Sequence, residues 1–282
     1  MLALRSVVER HNNLMDIMDG LKKDEVMFLF KGEPSSGKSI AAASFPNCYI
    51  FDMESRIRSV AAYHVPKGKT DIKYDTYNYA DYPKFDKKWD ELIDASRTSK
   101  FPYDTVIVDT LTSCSDLLLH HVIKEKGLVG KGKKIAGVTV NSIEDYNVES
   151  TALTELVLLM RQIKAKYKIL VAHVVKTDRQ DIENNTTVVT RQLLTAGKKV
   201  AAKLPGYFDE IFHFEQRLKG GRPSFIAHTM STGEDFARTT LNIPQELNFT
   251  NANFFDMIEP SLKGVMNLTS PNGNVTPFVN PK

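Results

Sequence analysis

Short, unbroken apolar runs set the rhythm of the chain. Val26-Met27-Phe28-Leu29-Phe30, Cys48-Tyr49-Ile50-Phe51, Val106-Ile107-Val108 and Ile169-Leu170-Val171-Ala172 are too short for buried helices. They read as strands buried on both faces, the habit of a parallel sheet. Between them the apolar period changes to three or four. Phe85, Trp89, Leu92 and Ile93 share one helical face in residues 82–98, with Asp86, Lys87, Lys88 and Asp90 opposite. Trp89 lies on that apolar face and reads as a packing residue. Leu117, Leu118, Leu119 and Val122 mark a helix over residues 115–126. Leu153, Leu156, Val157, Leu159, Met160 and Ile163 mark a longer one over 145–166. Alternating strands and helices predict an α/β fold, a mostly parallel central sheet flanked by helices.

The two ends of the chain follow other patterns. Residues 6–22 carry Val7, Val8, Leu14, Ile17, Met18 and Leu21 at helical spacing. This amphipathic helix caps a sheet edge or docks on a neighbouring subunit. Residues 174–194 alternate around Glu183-Asn184-Asn185-Thr186 and predict a hairpin. Residues 210–214 and 224–228 predict a paired antiparallel extension, joined by Lys219-Gly220-Gly221-Arg222. Residues 248–263, with Phe254, Phe255 and Ile258, form a short amphipathic element. The last stretch, 265–282, has no period and reads as an irregular tail. The expected division is an N-terminal helix (1–23), a core (24–245), a C-terminal element (246–264) and the tail (265–282).

Composition adds few constraints. With 282 residues, 42% hydrophobic and 25% charged, the chain can bury a sizeable core. A net charge of +3 does not by itself argue for nucleic acid. No apolar run approaches the roughly 18 residues of a membrane span. Two cysteines, Cys48 and Cys114, both beside apolar runs, exclude a disulfide framework and suit a reducing cytoplasm.

The chemistry begins at residues 32–39. Gly32, Glu33, Pro34, Ser35, Ser36, Gly37, Lys38 and Ser39 spell the phosphate-binding P-loop, G-x-x-x-x-G-K-S, between a strand and a helix that continues through Ile40. Its glycines let the backbone curl so that consecutive N–H groups face phosphate oxygens. Lys38 suits the β- and γ-phosphates of ATP, and the Ser39 hydroxyl suits Mg²⁺. Asp109, closing the 103–109 strand, matches the Walker B acid that supports Mg²⁺. Thr110 follows where some such strands carry their own base. Asp52 and Glu54, at the end of another strand, alternate along an extended chain and are expected to point the same way. Glu54 is the expected base for an attacking water. His173, ending the 169–172 strand, is placed to sense the γ-phosphate. The glycine- and lysine-rich stretch 127–137 reads as a mobile loop, suited to nucleic-acid phosphates or simply solvated.

The ordered set Gly32 to Ser39, Asp52-Met53-Glu54, Val106-Ile107-Val108-Asp109 and Val171-Ala172-His173 resembles the RecA-like P-loop ATPases. More narrowly, it is similar to phage Sak-type single-strand DNA recombination ATPases, an AAA-family group of nucleotide-binding proteins. Gly197-Lys198, followed by Pro205-Gly206-Tyr207-Phe208-Asp209-Glu210, matches that group's pattern after its second DNA-binding loop. The resemblance covers residues 24–245. It implies a RecA-like fold with Lys38, Glu54 and His173 catalytic and Ser39 and Asp109 on Mg²⁺. It implies loops near 124–137 and 176–196 on single-stranded DNA, with Lys131, Lys133, Lys134, Arg179 and Arg191 as contacts. Neither loop carries an obvious aromatic residue for stacking on bases. Lys198 and Lys199 are candidates to act on a neighbouring subunit's γ-phosphate. Self-association into a filament or ring is implied, with a single-strand-binding protein as a further partner and no membrane. His173 replaces the glutamine of many RecA-type proteins. A ring-forming DNA motor or loader, and a nucleotide or small-molecule kinase, are the alternatives. The expected location is the cytoplasm, that of a host if the protein is phage-encoded.

Overall fold

The computed structural model describes residues 25–98, 101–128, 132–181, 186–232 and 236–267. The expected N-terminal helix and residues 268–282 lie outside these. The strands are β1 (Val26–Gly32), β2 (Cys48–Asp52), β3 (Ile72–Thr76), β4 (Thr105–Asp109), β5 (Lys134–Ile135), β6 (Val138–Thr139), β7 (Tyr167–Asp181), β8 (Thr186–Leu193), β9 (Glu210–Lys219), β10 (Arg222–His228) and β11 (Glu246–Asn248). The helices are α1 (Lys38–Ala43), α2 (Ile57–His64), α3 (Tyr82–Ser96), α4 (Leu111–Leu128), α5 (Ile143–Gln162), α6 (Lys198–Lys203) and α7 (Phe254–Asn267).

One sheet runs in the order β11-β10-β9-β1-β7-β4-β2-β3. Strands β9 through β3 in that order are parallel, and β10 and β11 join antiparallel. This is the RecA-like P-loop fold with an antiparallel C-terminal hairpin. The continuous apolar runs follow from helices on both faces. Met27 and Leu29 enter one core with Trp89 of α3, Leu117 of α4, Leu153 of α5 and Val200 of α6. Phe28 and Phe30, their neighbours on β1, point oppositely, to α1, α2 and α7. There Phe30 packs on Phe212, Phe214 and Phe254 with ring centroids 4.8–5.8 Å apart. Edge-on and offset aromatic packing of this kind adds to the area buried.

Several expectations are corrected. Residues 210–214 and 224–228 do pair antiparallel, β9 against β10, but β9 also lies parallel beside β1 and so belongs to the central sheet rather than to a separate extension. Its run Ile-Phe-His-Phe is apolar enough for burial on both faces. The loop expected at 127–137 contains the β5–β6 hairpin, turning through Ala136 (φ 49°) and Gly137 (φ 81°). Helix α4 starts at Leu111, directly behind the Walker B strand, rather than at 115. Residues 265–267 end α7 rather than opening the tail. The hairpin expected at 174–194 is present, but its first arm is the far half of β7, so a core strand runs straight out into it.

Candidate nucleotide site

Strand β1 ends at Gly32, where β9 passes so closely that a Cβ would lie 2.1 Å from the Phe214 carbonyl oxygen. The turn needs glycine again at Gly37, which caps α1 at φ 86°. Lys38 is only 4% exposed. Its ammonium donates to the carbonyls of Gly32 (3.0 Å) and Glu33 (2.6 Å) and to Ser36 Oγ (3.1 Å). Burial pushes its pKa down to about 8, against the pull of Asp109, Glu54 and Glu33. The loop therefore holds a cation directly beneath the backbone N–H groups that the motif aims at phosphate. Ile40 anchors the next turn, its carbonyl accepting from His64 Nε2 at 2.9 Å.

Strand β7 lies between β1 and β4, pairing Gly32 with His173 and Asp109 with Val171. That order brings the ends of β1 and β4 together with the middle of β7 at one edge, where ligands of open α/β sheets bind. Asp109 is half-buried as a residue but its Oδ1 is buried, and burial pushes its pKa up to about 6, partly offset by a hydrogen bond with Ser39. Its Oδ1 has no hydrogen-bond partner among the described residues. A desolvated carboxylate with an open lone pair beside a serine hydroxyl fits a divalent cation. Ser39 and Asp109 would hold Mg²⁺, which when bound supplies charge neutralisation for the phosphates.

The two acids after β2 part company. The strand stops at Asp52 and the chain turns, so the expected shared direction is lost. Asp52 accepts the backbone N–H groups of Arg56 (3.0 Å) and Ile57 (3.1 Å) at the start of α2, and the Thr76 hydroxyl. Glu54 turns to the site. Its Oε1 meets His173 Nε2 (2.9 Å), Thr110 Oγ1 (2.9 Å) and Ser113 Oγ (3.1 Å), while Oε2 meets Arg56 at 3.3 Å. Hydrogen bonding to His173 lowers the Glu54 pKa from 4.5 to about 2, against burial and with help from Thr110 and Arg56. Because the folded value lies below the ordinary one, this network stabilises the fold above about pH 4.5 and loses its effect as pH falls toward 2. Glu54→Gln lacks that titration. Its stability deficit against the wild type, measured by urea unfolding, is expected to shrink by about 1–2 kcal/mol from about pH 7 to about pH 3. A deficit independent of pH contradicts the network.

Sequence reasoning missed the first turns of α4. Thr110 and Ser113 hold Glu54. Thr112 Oγ1 donates to the Leu194 carbonyl (2.9 Å) and accepts from His173 N (3.3 Å), closing the base of the β7–β8 hairpin. Ser115 Oγ bonds the buried Glu149 carboxylate and accepts from Ala196 N (2.9 Å). A Cβ on Gly197 would come within 2.6 Å of Glu149 Oε2, so a larger residue there would have to displace that carboxylate. The available signal was the hydroxyl-rich run 110–115 immediately after Asp109. Another missed contact joins Lys176 of β7 to Glu33 of the P-loop at 3.3 Å.

The basic candidates are more scattered. Lys131 lies outside the described residues. Lys133 and Lys134 are exposed at the β5–β6 hairpin. Arg179 belongs to β7 and Lys198 and Lys199 open α6, with only their backbones described. Arg191 sits opposite Lys176 in the hairpin. Burial first, and then the charges of Lys31, Arg191 and Lys38, drive the His213 pKa down to about 3.

Fold, P-loop and Walker B strand together define a P-loop ATPase. The AAA domain family matches residues 24–240, and the chain belongs to it. Similar solved structures include the flagellar accessory protein FlaH from Methanocaldococcus jannaschii, at 13% identity and TM-score 0.35, covering 79% of this chain and 84% of that one. A KaiC-like protein, PH0186, from Pyrococcus horikoshii OT3 aligns at 11% identity and TM-score 0.38, covering 79% and 89%. No curated protein matches. Among the described residues, no helix is long and apolar enough to cross a membrane.

Proposed function

We propose that the protein binds and hydrolyses ATP with Mg²⁺ and acts on single-stranded DNA in phage-type recombination or annealing, as the Sak-type resemblance implies. The observation that carries this reading is the Glu54 carboxylate, shared between His173 at the hairpin base and the hydroxyls behind Asp109. Lys38 neutralises the β- and γ-phosphates. Glu54 accepts a hydrogen bond from the attacking water and aligns it. With its pKa held low, Glu54 works through charge and orientation more than as a strong proton acceptor, which suffices for a loose phosphoryl-transfer transition state. His173 touches Glu54 through Nε2 while its backbone N–H is tied to Thr112. A γ-phosphate drawing His173 away would thus disturb both the water-aligning acid and the hairpin.

The reading includes self-association, with Lys198 or Lys199 of one subunit acting on its neighbour's nucleotide, and cooperation with a single-strand-binding protein. Electron microscopy with single-stranded DNA and a non-hydrolysable ATP analogue is expected to show nucleotide-dependent assemblies along the DNA. Closed rings with DNA threaded through would favour a motor or loader. Nucleotide-bound monomers that phosphorylate a nucleoside monophosphate without DNA would overturn the proposal in favour of a kinase.

A further inference from the structure

Although the two basic loops lack aromatic residues, the fold supplies them from elsewhere. The segment after β3 brings Tyr79 against His120 of α4, with ring centroids 4.7 Å apart. Tyr82, opening α3, stacks on His121 at 3.9 Å, with the planes 11° apart. Tyr79 is 63% exposed, although it is a large ring seated beside another ring. His120 Nδ1 is buried and has no hydrogen-bond partner among the described residues. A cleft of about 50 Å³ opens between the two ring pairs and reaches Lys124, exposed one turn further along α4.

The same helix leads to the β5–β6 hairpin. That hairpin packs back on the helix end, where a Cβ on Gly132 would meet the Thr139 side chain at 2.4 Å and the Lys126 Cβ at 3.7 Å. Lys133 and Lys134 are exposed on it. Lys126 is already committed to Asp145 and Ser142. Acids beside the rings are Asp81, which accepts from Asn78 N, Asp86, which accepts from Tyr82, Asp90 and exposed Glu125. Lys124, Lys133 and Lys134 supply exposed positive charge on the side of the rings that leads to the hairpin.

We infer that Tyr79, backed by His120 and flanked by Tyr82 and His121, is a stacking platform for bases of single-stranded DNA whose phosphates run toward Lys124, Lys133 and Lys134. The cleft is too small to enclose a base, so a base lies across its rim on the outer face of Tyr79. Exposed aromatic faces beside a cationic track are how single strands are held without sequence readout. The inference rests on the single-stranded DNA reading and adds to it the site where bases are felt.

Binding to an oligothymidylate and to an abasic oligonucleotide of equal length, both with ATP, tests this. The wild type is expected to prefer the oligothymidylate by roughly tenfold. Tyr79→Ala should collapse that ratio toward one while leaving the salt dependence unchanged, since phosphate contacts set the salt slope. Lys133→Ala with Lys134→Ala should weaken both oligonucleotides alike and flatten the slope. Phe236→Ala, at another exposed ring, should leave the ratio intact. A wild type without base preference, or Tyr79→Ala retaining it, overturns the platform and leaves the DNA reading standing. A wild type that binds neither oligonucleotide overturns both.

Discussion

Lys38→Met is expected to lose nucleotide turnover by a hundredfold or more. The ammonium is 4% exposed and bonded only inward, to two loop carbonyls and Ser36. It is the buried cation of the phosphate site, in a setting where charge is weakly screened. Removing one preorganised donor from such a site costs on the order of 10²–10³ in rate. Methionine keeps the length of the stem, so the packing around α1 survives. The measurement is phosphate release at saturating ATP, alongside binding of a fluorescent nucleotide. Turnover within tenfold of the wild type would mean that the loop does not work as its sequence says.

Glu54→Gln is expected to separate binding from chemistry. Glutamine keeps an oxygen for Thr110 and Ser113 but loses the charge that orders His173 and the water. Nucleotide affinity should stay within a few-fold, because the phosphates are held by the loop and Lys38. Turnover should fall by roughly 10²–10⁴, the range of a positioned general base. Assemblies formed with ATP should then persist, since the step that dissolves them is blocked. Full turnover in this variant would remove Glu54 from the mechanism and direct attention to Asp52, which is committed to capping α2.

The strands were legible because burial on both faces leaves a continuous apolar run, and the P-loop because its chemistry tolerates few residue types. Asp109 could be placed for the same reason: a β-branched run ending in an acid has one meaning beside a P-loop. Boundaries behaved less well. Residues 110–114 contain three hydroxyls and a cysteine, with no helical apolar period, so the true start of α4 stayed hidden. Its driving force is tertiary: each hydroxyl finds a partner on another element. The parallel placement of β9 was also illegible, because the preceding turn and helix carry no mark of handedness or sheet position. The pairing of Asp52 with Glu54 failed for a local reason. Alternation holds only while the chain stays extended, and it turns after Asp52. The stacking site at Tyr79 and His120 joins residues distant in sequence, which no periodicity connects.

The central claim is that this site couples ATP hydrolysis to single-stranded DNA through the hairpin that leaves His173. Its most direct test is the steady-state rate of phosphate release from ATP and Mg²⁺, with and without an oligothymidylate, for the wild type and Glu54→Gln. The account predicts a rate in the wild type that rises severalfold with DNA and is nearly absent in the variant under both conditions. A wild-type rate indifferent to DNA, or one carried equally well by Glu54→Gln, would contradict it.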